Sequence, residues 1–141
     1  MIVYMDIDDE RTFTVNINTN HVFNIANEKQ LHNKVVEWIR RFHPEVVIVP
    51  GLGELQKTDE ARMEAWAKGY TKGQADLLIL ASTENYSGMC LEFKSPMGNG
   101  SLSEAQELFL KRMHDNSFNV LVSNDYDEII HAIMAHLAEL Q

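Results

Sequence analysis

Asp76, Glu92 and Lys94 are the residues of this chain whose types and spacing suit chemistry best. Asp76 opens the apolar run Leu77-Leu78-Ile79-Leu80, and sixteen positions later Glu92-Phe93-Lys94 closes the run Met89-Cys90-Leu91. Charges at the ends of two apolar strands are costly unless they are used. In an extended strand, residues two apart share a face at about 6 to 7 Å, and the residue between them points the other way. Glu92 and Lys94 therefore share a face, and Phe93 is expected in the core. Two strands joined by Ser82–Gly88 can bring Asp76 beside Glu92. That gives two hard oxygen ligands with a cation alongside, an arrangement that suits a divalent metal.

The surrounding pattern supplies the elements that must hold these residues. Thr12–Ile17 and Val22–Ile25 flank Asn18-Thr19-Asn20-His21, which reads as a hairpin turn between two strands. Asn27 caps a helix from Glu28 to Phe42, with Leu31, Val35, Trp38, Ile39 and Phe42 at helical spacing, and Pro44 stops it. Val46–Val49 is the first core strand, ended by Pro50-Gly51. A short polar helix spans 58–68 and ends at Gly69. Strands at 75–81 and 88–94 follow, then a helix from Ser103 to His114, a strand at 118–122 and a helix over 125–139. The reading is one domain over 1–141, with the hairpin in 1–26 added to a core at 27–141.

Composition bounds the class. The chain has 141 residues, 45% of them apolar, enough for one hydrophobic core. No apolar stretch approaches a membrane span, and Met1-Ile2-Val3-Tyr4-Met5-Asp6 lacks the basic start of a secretory signal. The expectation is a soluble intracellular protein with no membrane contact. Cys90 is the single cysteine, so no intramolecular disulfide or thiolate zinc cage can form. Gly51-Leu52-Gly53 lacks the further residues of a nucleotide-binding loop and reads as a turn, and no organic cofactor is expected. A lone Glu128-x-x-His131 pair has no partner and reads as structural.

The net charge of -9 is uneven. Four acids in residues 1–10 and five in 113–141, with no Lys or Arg in either stretch, account for all of it, and 11–112 has twelve of each sign. A local cationic surface could come from Arg40, Arg41, Lys68, Lys72, Lys111 and Arg112, which is what phosphate contact requires.

Asp-(x)n-Glu-x-Lys resembles the PD-(D/E)XK nuclease superfamily, and the flanking residues resemble its VRR-NUC branch. Gly73-Gln74-Ala75-Asp76 matches the Gly-x-x-Asp turn, with Ala75 where proline is common. Ser95-Pro96, Gly98, Gly100 and Leu102-Ser103-Glu104-Ala105-Gln106 match the segment after Glu-x-Lys. Glu28-Lys29-Gln30-Leu31-His32-Asn33-Lys34-Val35 resembles the early helix Glu-x-x-Leu-Gln-x-x-Val, with His32 where glutamine is usual. The resemblance runs from about Asn27 to about Ile133.

It implies an α/β fold with a restriction endonuclease-like core, a mixed central sheet flanked by helices in the order αβββαβ. It also implies a Mg²⁺- or Mn²⁺-dependent hydrolase of phosphodiester bonds. Asp76 and Glu92 would hold the metal, with the Phe93 carbonyl as a third ligand and Glu28 as an outer acid that binds a second metal or orients water. Lys94 would act on the attacking water and the transition-state charge. Gln106 would position Lys94, the water or a phosphate. The family analogy also implies a homodimer that cuts branched DNA, either four-way junctions or flaps; the hairpin at 12–25, Trp38 and Trp66 are candidate interface elements, with core packing the expected fate of Trp38. A catalytically silent binding module on the same fold, or an RNA-cleaving enzyme, remains the alternative. Removing either acid is expected to leave the metal-free fold intact or slightly more stable, because each is repelled by the other.

Overall fold

The computed structural model describes residues 2–8, 11–16, 25–98 and 100–140. The strands are β1 (Ile2–Asp8), β2 (Arg11–Asn16), β3 (Ile48–Pro50), β4 (Leu77–Ile79), β5 (Gly88–Phe93) and β6 (Phe118–Ser123). The helices are α1 (Glu28–Phe42), α2 (Asp59–Ala67), α3 (Glu104–Asp115) and α4 (Tyr126–Ala138), with a single 3-10 turn at Gly53–Leu55. All six strands join one mixed sheet in the order β1-β2-β6-β5-β4-β3. β6 runs parallel to both neighbours, and the other pairs are antiparallel. The restriction endonuclease-like α/β core is thus α1, β3, β4, β5, α3, β6, with α2 inserted after β3 and α4 appended.

The alternation of β5 divides the core. Met89, Leu91 and Phe93 face one side, where they meet Leu31, Val35 and Ile39 of α1 and Ile129, Ile133 and Leu137 of α4. Cys90 faces the other side with Val120 and Val122 of β6 and Leu110 of α3. Each fully buried Leu, Ile or Phe contributes about 1.5 to 3 kcal/mol. α1 earns its place through the 31/35/39 stripe, one residue per turn of a helix whose Asn27 side chain caps the Gln30 amide. By contrast α2 buries none of its residues.

An N-terminal pair of strands precedes the core. β2 pairs with β1 on one edge and, over Thr14–Asn16, with β6 on the other. The expected turn at 18–21 and most of the expected strand at 22–25 lie outside the described residues. β1 and β2 pair antiparallel from Ile2↔Asn16 to Asp8↔Arg11. β3 starts two residues later than the apolar run Val46–Val49 suggests, because the pairing Ile48↔Ile79, Val49↔Leu78, Pro50↔Leu77 selects its register.

Candidate active site

Sheet register brings the two acids together. β4 and β5 pair through Leu77↔Leu91, and continuing that register one step sets Asp76 opposite Glu92. β3 pairs with β4 through Pro50↔Leu77, so the next residue, Gly51, falls opposite Asp76 and donates its amide to the Asp76 carbonyl at 3.0 Å. The turn before Asp76 depends on Gly73 at φ +82, where a side chain would run into the Ala105 backbone at the start of α3. Strand β4 is thereby seated against the helix that carries Gln106.

Asp76 is anchored. Its Oδ2 accepts the Phe93 amide at 2.8 Å, a backbone donor that has passed the end of the β4 ladder. The Phe93 side chain is buried under the His32 ring, with centroids 4.9 Å apart. Glu92 is 3% exposed. Its Oε1 accepts from Gln106 Nε2 at 3.1 Å and lies 3.7 Å from Lys94 Nζ, while its buried Oε2 accepts from no donor, and the protonated carboxyl hydrogen-bonds to Asp76. Lys94 is 5% exposed, donates to Gln106 Oε1 at 3.2 Å, and has its aliphatic stem covered by Gly100.

Gln106 links the group. It is the third residue of α3, and it forms a capping box in which its Oε1 accepts the Ser103 amide at 2.9 Å and the Ser103 hydroxyl accepts the Gln106 amide at 3.2 Å. With that oxygen turned to Ser103 and Lys94, the amide nitrogen is left to face Glu92. One residue thus starts the helix and fixes the acid and the lysine.

Electrostatics mark the site as short of positive charge. Burial, and then the Asp76 charge, push the Glu92 carboxyl up to about 9, with Lys94 opposing. Burial also raises Asp76, against the Phe93 amide and the His32 ring, which favour its ionised form. Glu28, in the first turn of α1, is raised by partial burial, with Lys94 opposing and Asp76 adding to the rise.

These groups open onto a cleft of about 850 Å³ between α1 and the segment after β3. Glu28, Asp76, Glu92 and Gln106 all line it. Among the described residues no three His, Cys, Asp or Glu side chains are gathered into a ready-made cage, and Glu28 shares the cleft with the Asp76–Glu92 pair. The two acids suit a divalent cation: they are adjacent and hard, Glu92 is buried and Asp76 half-buried, and Glu92 Oε2 accepts from no donor.

The cleft also contains residues that the sequence reading passed over. Glu54 lies on its wall and raises both Asp76 and Glu28. Its position after β3 was the available signal, because a strand paired antiparallel to β4 must end beside Asp76. His32 lies one turn after Glu28 and faces the same space. Of the six cations expected to form a surface, Arg40 lines the cleft, while Lys68 pairs with Glu64 and Lys111 with Asp115 along their own helices. Lys29 and Lys57 line the cleft instead. Trp66 is 74% exposed on α2, and Trp38 is half-buried against Phe42 and His43. Among the described residues no helix is long and apolar enough to cross a membrane.

No protein-family model matches the chain, and no curated protein matches it. A solved structure described as "VRR_NUC domain protein" superimposes with a TM-score of 0.64 over 84% of this chain and 94% of that one, at 18% identity. The chain therefore has the nuclease-domain fold of a VRR_NUC protein, and at that identity the likeness is one of fold.

Proposed function

We propose that the protein is a metal-dependent DNA endonuclease of the PD-(D/E)XK type. The observation that carries this reading is the half-buried Asp76 beside the buried Glu92, with the Lys94 ammonium 3.7 Å from Glu92 Oε1. Asp76, Glu92 and the Phe93 carbonyl would hold Mg²⁺ or Mn²⁺, with Glu28 as the outer acid. When bound, the metal would supply an acidic water and neutralise charge on the phosphate oxygens. Lys94 donates hydrogen bonds to the same region, where negative charge grows in the transition state. Gln106 Oε1 accepts a hydrogen bond from that ammonium and so helps to orient it. Asp76 stays oriented because the Phe93 amide holds one of its oxygens.

DNA, and branched DNA in particular, is the proposed substrate, with a homodimer as the working form. Trp66 on an α2 that buries nothing supports a protein contact there. A two-fold pair of sites would address two strands of a junction or flap. Incubation with Mn²⁺ or Mg²⁺ and a panel of linear, flap and four-way DNA, beside single-stranded RNA, tests the reading. The expected result is metal-dependent cutting, faster on branched DNA. No cutting of any substrate would leave a binding module on a nuclease fold, and cutting of RNA alone would reassign the substrate. Sedimentation at micromolar concentration tests the dimer.

A further inference from the structure

Leu52 has a backbone that leucine rarely adopts, with φ 57 and ψ 23 in the left-handed region. Such a conformation costs a non-glycine residue about 1 to 2 kcal/mol and persists only where its surroundings impose it. Those surroundings are visible on both sides. Gly51 is pressed against the Ala75 carbonyl so closely that no side chain fits, and its amide is bonded to Asp76. The Tyr70 hydroxyl lies over Gly53. The Leu55 amide then closes the turn onto the Leu52 carbonyl at 3.1 Å. The result is a tight turn bonded directly to the Asp76 backbone, with Leu52 43% exposed and Leu55 64% exposed, both on the cleft wall.

The opposite wall is α1, which lines the cleft from Glu28 to Arg40, about 18 Å of helix. Charge alone does not explain how a strand would stay there. Five carboxylates line the cleft against three Lys or Arg side chains. Lys29, Arg40 and Lys57 can reach phosphates, but apolar contact has to supply part of the affinity. Leu52, fixed by its turn, and Leu55 lie on the same cleft wall and provide such a contact, which a base can use only when its face is not already stacked inside a duplex.

We propose that Leu52 and Leu55 form an apolar shelf on which an unpaired base next to the scissile phosphate packs, so that the cleft selects a strand unpaired at that point. The proposal rests on the nuclease reading for the position of the scissile phosphate, but the shelf itself is a binding surface that can be measured without cleavage.

The test is a cycle between the shelf and the base. Fluorescence anisotropy in Ca²⁺ buffer follows the full-length protein binding a labelled duplex with a five-nucleotide unpaired arm. An abasic site is moved through the arm one position at a time. The parent is expected to lose about fivefold or more in affinity at one position. Leu52→Asn removes the apolar body while supplying a residue that accepts the left-handed backbone, so its thermal midpoint should hold or rise. In Leu52→Asn the same abasic position should cost no more than about twofold. Leu55→Gln gives an independent second reading of the same loss of coupling, should Leu52→Asn melt early. A flat abasic scan in the parent, or an unchanged dip in both variants, overturns the shelf. Parallel reactions in Mn²⁺ separate the two ideas. Cutting without coupling retires the shelf and keeps the nuclease, coupling without cutting keeps the shelf and retires the nuclease, and no binding of any oligonucleotide retires the shelf.

Discussion

The Asp76 carboxylate accepts the Phe93 amide at 2.8 Å, so the first acid of the site is also the partner of a backbone donor at the end of the β4–β5 ladder. This changes the expectation for its removal. Glu92 is protonated below about 9, so there is little repulsion for Asp76→Ala to relieve, and the loss leaves a part-buried N–H without its acceptor, which costs about 1 to 3 kcal/mol. Asp76→Ala should therefore be less stable than the parent in metal-free buffer, and Asp76→Asn, which keeps an oxygen for Phe93, should match or exceed it. Urea midpoints check the order. Cleavage should fall by at least about 100-fold in both.

Glu92 sets the pH dependence of the metal-free protein. Its carboxyl is raised from 4.5 to about 9, so between those values the native state holds a proton that the unfolded chain has released. The stability contributed is fully present below the lower value and is lost as pH rises through the upper one. The raised pKa values of Asp76 and Glu28 act in the same direction. Denaturation at a series of pH values from about 5 to about 9 should give falling stability in the parent and a flatter profile in Glu92→Gln. An identical slope in the two would remove Glu92 as the cause.

The same protons should couple to cation binding. Mn²⁺ must displace them, so its affinity should increase with pH across that range, and calorimetry in buffers of different ionisation enthalpy should detect proton release. At 100 times its Kd the ion should stabilise the fold by about 2.7 kcal/mol, read as a rise in thermal midpoint. The rise should vanish in Glu92→Gln.

Gln106 separates helix capping from chemistry. Ser103→Ala removes the hydroxyl half of the capping box, costs about 1 kcal/mol, and leaves the Gln106 contacts to Glu92 and Lys94 in place. Its cleavage rate should stay near the parent's at a temperature where both are folded. Gln106→Ala loses the cap and the link together, and its kcat should drop by about 10- to 100-fold. Equal rates for the two variants would make Gln106 a capping residue only.

Lys94→Ala should keep Mn²⁺ binding within about tenfold and lose at least about 100-fold in cleavage, because its ammonium serves the reaction without ligating metal. Calorimetry and a single-turnover assay measure the two quantities separately.

Much of this arrangement is local in origin and was legible in the chain. Asn27, Thr58 and Ser103 cap helices because each side chain reaches an amide three residues on. The 31/35/39 stripe of α1 and the period-two alternation of β5 follow from backbone geometry alone, and so does the sharing of one face by Glu92 and Lys94. What lay beyond reach was set by pairing between distant segments. β2 could be assigned to β1 and β6 only once the sheet was assembled, and a strand's own residues do not specify its neighbours. The start of β3 moved because register with β4 outweighed the apolar run. Glu54, Lys57 and the left-handed Leu52 reach the cleft because β3 ends beside Asp76, a contact across 25 residues of chain that no local pattern encodes. Sequence determined which residues could do chemistry, since side-chain type and strand or helix period are local properties. Tertiary structure decided which charges share one cleft and which oxygen of Glu92 accepts from no donor, because burial and desolvation exist only after the chain has packed.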